Sequence, residues 1–181
     1  MRPVLRFGKS ITMALASGAA SVAVLAVAAW AGAENVAFPA NYDKGVLYAT
    51  VDRADNKQYR ELYTSAAAIA AVKSGKPTPS GTVVTLVQYA AKLDAAGNPE
   101  KDAKGRFIKA NIIGYTVMEK RTGWGAEYPA AQRNGEWEYR AFKADKTPNP
   151  AANLTACFNC HKPLGDAKDY LFSFDRMKAA P

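Results

Sequence analysis

The chain has 181 residues, with 24 Lys+Arg, 16 Asp+Glu and one histidine, and a formal charge of +8. That length fits one domain able to bury a real core without staples. Its basic residues are scattered among acids and are not interleaved with stacking aromatics, which excludes a nucleic-acid groove.

The N-terminus reads as a secretory signal over residues 1–33. Arg2, Arg6 and Lys9 make a basic start, Ile11 to Ala29 is mostly apolar, and Ala31-Gly32-Ala33 is a small-residue cleavage pattern ahead of Glu34. An uncleaved anchor is the rival reading, because the apolar stretch approaches the roughly 20 residues of a spanning helix. Its Ala, Ser and Gly content favours the signal. Residues 34–181 then form the mature domain, with 21 Lys+Arg against 16 Asp+Glu, in an exported and hence periplasmic setting.

Val46 to Val51 is β-branched and aromatic and predicts a strand, followed by turn chemistry at Asp52, Asp55 and Asn56. From Lys57 to Lys73, Tyr59, Leu62, Tyr63, Ala66, Ile69 and Ala70 recur at helical spacing, and Gly75 and Pro77 stop the pattern. One amphipathic helix is expected there. Thr82 to Lys92 predicts a buried strand, Asp94 to Gly105 an exposed loop whose ends lie close, and Arg106 to Lys120 a second long strand. In that strand Ile113, Tyr115 and Val117 should share one face, with Ile112, Thr116 and Met118 on the other. Asn134-Gly135 leads into a half-buried strand over Trp137 to Phe142. Prolines interrupt Thr147 to Asn153, a short helix should open at the cysteines, and Tyr170 to Phe174 reads as a last strand or tight extended segment. Together these elements predict an α+β fold, a mainly antiparallel β-sheet with a few short helices.

Two cysteines in an exported chain would ordinarily suggest a disulfide. Here Cys157 and Cys160 stand three apart with His161 next, giving Cys-Phe-Asn-Cys-His, the C-x-x-C-H pattern of covalent haem attachment. Two thiols at that spacing reach the two vinyl groups of one porphyrin edge, and the adjacent imidazole lies below the iron. Zinc would need further Cys or His ligands, and the chain has none. One haem c, attached through Cys157 and Cys160 with His161 as its iron ligand, is therefore the expected cofactor.

His161 is the only histidine, so bis-histidine ligation cannot come from this chain alone. Beyond the leader the candidate methionines are Met118, which reads as core packing, and Met177, which reads as a loose surface residue. An open sixth position is the simplest inference. Phe38, Tyr48, Tyr89, Phe107, Tyr115, Trp124, Trp137, Tyr139 and Phe142 are candidates for an apolar cap over the open side, each also readable as plain core. Lys92, Glu119, Lys120 and Arg121 are charged residues at strand ends that could reach such a pocket.

The succession Phe38-Pro39, Tyr48 to Arg53, Pro79-Ser80-Gly81-Thr82-Val83, Met118-Glu119-Lys120 with Gly123-Trp124-Gly125, Trp137-Glu138-Tyr139 and Cys157 to His161 resembles the cytochrome P-460 and cytochrome c′-beta family over nearly the whole mature chain. The resemblance implies a mainly β fold, a homodimer and a five-coordinate high-spin haem in the periplasm. It also implies two functions: P-460 members carry a lysine-to-haem bond and oxidise hydroxylamine, whereas c′-beta members lack it and bind nitric oxide. Where relatives have a lysine after Pro-x-Gly-Thr, this chain has Val83-Val84-Thr85-Leu86-Val87, which leaves Lys92, Lys109 and Lys120 as possible donors. Three readings follow: a binder of nitric oxide or a similar diatomic that exchanges electrons with a redox partner protein; a hydroxylamine-oxidising enzyme with Glu119 as proton acceptor; and an electron carrier with Met118 or Met177 as sixth ligand.

Overall fold

A computed structural model describes residues 32–181. The leader expected over residues 1–33 lies outside the described residues, except for Gly32 and for Ala33, which opens a short turn at Ala33–Asn35. Five strands form one sheet in sequence order, each antiparallel to the next: β1 Val46–Arg53, β2 Gln58–Thr64, β3 Val83–Ala91, β4 Lys109–Lys120 and β5 Trp137–Lys143. Three helices, α1 Ala66–Lys73, α2 Leu154–His161 and α3 Phe174–Lys178, pack on one another or on β1 and β5. The α+β expectation is met. No helix among the described residues is long and apolar enough to cross a membrane.

The helix expected over Lys57–Lys73 is half strand. Gln58–Thr64 is β2, paired along its length with both β1 and β3, and only Ala66–Lys73 is helical. In the strand, Tyr59, Glu61 and Tyr63 fall on one face and Arg60 and Leu62 on the other, so a two-residue alternation underlies what also fits helical spacing. The switch comes at Ser65, whose Oγ accepts the Ala68 N–H at 3.1 Å and caps α1. Gly75, at φ 76°, ends it in the left-handed conformation.

Between β3 and β4 the expected loop is built from two Asp-Ala-x-Gly turns, eight residues apart. Asp94 Oδ1 accepts from the N–H groups of Ala96 and Asn98, and Asp102 Oδ1 from those of Lys104 and Arg106. Short bridges, Leu93 to Pro99 and Lys101 to Phe107, bring its ends together. A register shift opposite Gln88 and Tyr89 inverts the first part of β4. Ile112 rather than Ile113 therefore joins Tyr115 and Val117, and Ile113 stays 42% exposed.

The strands carry a different apolar cluster on each face. One, with Leu62, Val84, Met118, Trp137 and Tyr139, packs against Ile69 and Val72 of α1, Phe158 of α2, Leu171 and Met177 of α3. Met177 is thus fully buried rather than loose at the surface. The other holds Val87, Tyr115, Val117 and Phe142 and is closed by Val36, Phe38 and Tyr42. Fully burying residues such as Val87 and Val117 contributes about 1.5–3 kcal/mol each. At the C-terminal end, the expected extended segment Tyr170 to Phe174 is instead a tight turn leading into α3, because Asp169 and Tyr170 both have positive φ.

Candidate functional site

The cysteines and the histidine close a helix rather than open one: α2 begins at Leu154, with Asn153 Oδ1 accepting the Ala156 N–H at 3.2 Å, and ends at His161. The helix is seated by Phe158, between the two cysteines. Its ring is 1% exposed and meets those of Tyr139, at 4.6 Å between centroids, and Tyr128, at 5.3 Å. Asn134 Nδ2 ties the seat down by donating to the Phe158 carbonyl and to the Tyr139 hydroxyl, both at 3.0 Å. With Phe158 turned inward, Cys157, Cys160 and His161 all face a cavity of about 410 Å³ between α2, the C-terminal turn and the sheet. Both thiols are free, and burial pushes that of Cys157 up in pKa.

His161 is oriented by its surroundings. Its Nδ1 lies 2.6 Å from the Tyr170 carbonyl, which only accepts, so Nδ1 carries the proton and Nε2 is left with its lone pair. Burial holds the imidazole below its usual pKa, opposed in part by that carbonyl, so the ring is neutral and suited to binding a metal. Tyr139 and Phe172 flank it at 5.2 and 4.9 Å.

Across the cavity the sheet presents Val51, Leu62, Val84, Leu86, Thr116 and Met118. Three arginines, Arg53, Arg60 and Arg176, complete the lining. Arg53 is paired with Asp55 at 2.6 Å, and Arg176 donates to the Thr50 carbonyl at 2.7 Å. Arg60 donates to the neutral amide of Gln58 and is in no ion pair among the described residues, and burial, together with the Arg53 charge, lowers its pKa against the opposing pull of Asp55. Two thiols, a neutral imidazole, an apolar wall and cations suited to two carboxylates form a donor set that fits a porphyrin with propionates.

Of the nine aromatic residues expected as a cap, only Tyr139 lines the cavity. Phe38, Tyr89, Tyr115, Trp124 and Phe142 belong to the cluster on the other face of the sheet. Trp137 and Tyr48 are core on the helix side, Tyr48 bonded to Ser173 at 2.7 Å, and Phe107 is buried beside Asp52. The cap is aliphatic. Neither do the charged candidates reach the cavity: Lys92 is paired with Glu100, Lys109 with Glu61, Lys120 with Asp169, and Arg121 with Glu119. Met118 does line it. The arginines went unread in the sequence; Arg60, alternating with Tyr59 and Glu61, would have pointed inward had the strand been recognised.

No curated protein matches the chain. A family model does, that of cytochrome P460, and it spans residues 39–173, from the segment that closes the aromatic face of the sheet to the turn beyond His161. With that match covering well over half of its length, the chain belongs to the cytochrome P460 family, a family of haem cytochromes.

Proposed function

We propose that this protein is a periplasmic mono-haem c-type cytochrome that binds small ligands such as nitric oxide and exchanges electrons with a redox partner protein. In this reading Cys157 and Cys160 carry the thioether bonds and His161 is the only protein ligand to iron. The bound haem supplies the ligand-binding metal and the one-electron couple. The chain's part is to fix the imidazole tautomer through Tyr170, to hold propionates with Arg53, Arg60 and Arg176, and to keep the opposite side apolar and dry with Leu62, Leu86 and Val84.

The observation that carries this reading is the composition of the cavity wall: among the described residues it includes no lysine, aspartate or glutamate. A lysine–haem bond needs an amine within reach, and hydroxylamine oxidation needs a proton acceptor near the iron. The candidates for both, Lys92, Lys109, Lys120 and Glu119, are tied into ion pairs away from the cavity. Met118 on the wall favours a second reading, a His/Met electron carrier.

Optical spectra of the purified holoprotein, with and without nitric oxide and carbon monoxide, test this. A high-spin spectrum and ready binding of both gases are expected. A low-spin spectrum that resists carbon monoxide supports the Met118 reading, and a tryptic peptide joined to haem through a lysine supports the enzyme. Denatured protein should keep its haem through acid–acetone extraction, with the mass of the chain plus one haem.

A further inference from the structure

Asp169 lies outside the cavity and belongs to none of the roles above, yet it is one of the most heavily bonded side chains among the described residues. It is 5% exposed, and it accepts from the Thr78 N–H at 2.9 Å, the Thr78 hydroxyl at 2.5 Å, Lys120 Nζ at 2.8 Å and Trp137 Nε1 at 3.3 Å. Those donors come from three separate places: the segment after α1, the end of β4 and the start of β5. A carboxylate held by four donors on rigid elements is fixed in position as well as in charge.

What it fixes is a turn of unusual backbone. Asp169 and Tyr170 have φ of 46° and 56°, two consecutive non-glycine residues in the left-handed region. L-residues rarely adopt it without support from their surroundings. The outcome of the turn is to aim the Tyr170 carbonyl at His161 Nδ1, at 2.6 Å. An acceptor on that nitrogen makes the imidazole a stronger donor through Nε2, which favours ferric over ferrous iron.

We propose that Asp169 is a positioning residue for the iron ligand: its anchorage to Thr78, Lys120 and Trp137 holds the left-handed turn that keeps the Tyr170 carbonyl on His161. This rests on the reading of His161 as the ligand. It also gives Lys120 a role unrelated to any bond with haem.

The test uses the holoprotein and reads the ferrous iron–histidine stretching band by resonance Raman, together with the reduction potential. Asp169→Asn should lower the band and displace the ferric–ferrous equilibrium about tenfold toward ferrous, about 59 mV for one electron. Thr78→Val, which removes one donor and leaves the turn's own residues intact, should move both in the same direction by less. Tyr170→Phe, which keeps the carbonyl, should leave both at the wild-type values. A lower melting temperature with band and potential unchanged in Asp169→Asn and Thr78→Val would overturn the proposal and leave Asp169 a purely structural anchor. Should Asp169→Asn fail to accumulate, Thr78→Val and Lys120→Gln decide by the same criterion. A wild-type ferrous protein that is high-spin by its optical spectrum yet shows no iron–histidine band overturns the ligand assignment itself and the proposal with it, an outcome distinct from a band that is present and unmoved.

Discussion

The two faces of the sheet are made by the same five strands and have opposite characters. On the aromatic face Glu61, 4% exposed, accepts from Lys109 at 2.7 Å, Tyr63 at 2.9 Å and Tyr89 at 3.0 Å. Its rings close on one another in edge contacts, such as Phe38 with Tyr115 at 5.0 Å and with Phe142 at 5.3 Å. On the helix face, alternate residues of those strands leave a cavity walled by Leu62, Leu86 and Met118, into which Arg60 brings a charge that forms no ion pair among the described residues. Saturated packing marks the face that holds the fold together. Unfilled volume lined by a cation outside any ion pair among the described residues marks the face proposed to take a ligand.

Substitutions divide accordingly. The largest effect should come from His161→Gly, which leaves no histidine in the chain: the ferrous iron–histidine band should vanish while haem stays attached, as checked by Raman spectra and by extraction. Phe142→Ala, on the aromatic face and 3% exposed, should cost about 3–5 kcal/mol in chemical unfolding while leaving the haem spectrum unchanged. A spectral change there would break the division between the faces.

Glu61→Gln should cost about 1–3 kcal/mol at neutral pH, since three donors lose a carboxylate partner. Burial alone would raise the pKa of Glu61, but hydrogen bonds from Lys109, Tyr63 and Tyr89 outweigh it and leave the value below the ordinary 4.5. Its contribution is therefore fully present above pH 4.5 and is lost as pH falls through the lower folded value. Unfolding curves of wild type and Glu61→Gln should separate at pH 7 and converge under acid conditions. The smallest effect is expected from Met118→Leu, a volume-conserving change on the cavity wall that should cost under about 1.5 kcal/mol. Its high-spin spectrum should match the wild type. A wild-type low-spin spectrum turned high-spin by this substitution would establish Met118 as a ligand.

Legibility in the sequence followed how local the cause was. Strands β3 and β5 show in Val83 to Val87 and in Trp137 to Phe142, where composition and alternation agree. Gln58–Thr64 misleads because Tyr59, Leu62 and Tyr63 fit both periods over so short a run, and the hydrogen bonds of β1 and β3 on either side decide the matter. The faces of β4 could not be assigned beyond the register shift, since one displaced residue reverses all those before it. Nine aromatic residues offered a cap, yet eight of them lie away from the cavity, because ring type reports burial and not which side of a sheet is buried.

By itself, the sequence determined the chemistry carried on consecutive residues: Cys157, Cys160 and His161, with no other cysteine or histidine to compete, and an alternation that specifies an antiparallel sheet. Only the tertiary structure decided what stands opposite them. The aliphatic wall, the inward Arg60, the removal of Lys92, Lys109, Lys120 and Glu119 into ion pairs, and the clamp of Asp169 on a turn that bonds His161 all join residues far apart in the chain. Spacing along a chain fixes local reach, whereas the occupant of the space across a cavity depends on strand register and on which face each residue is given.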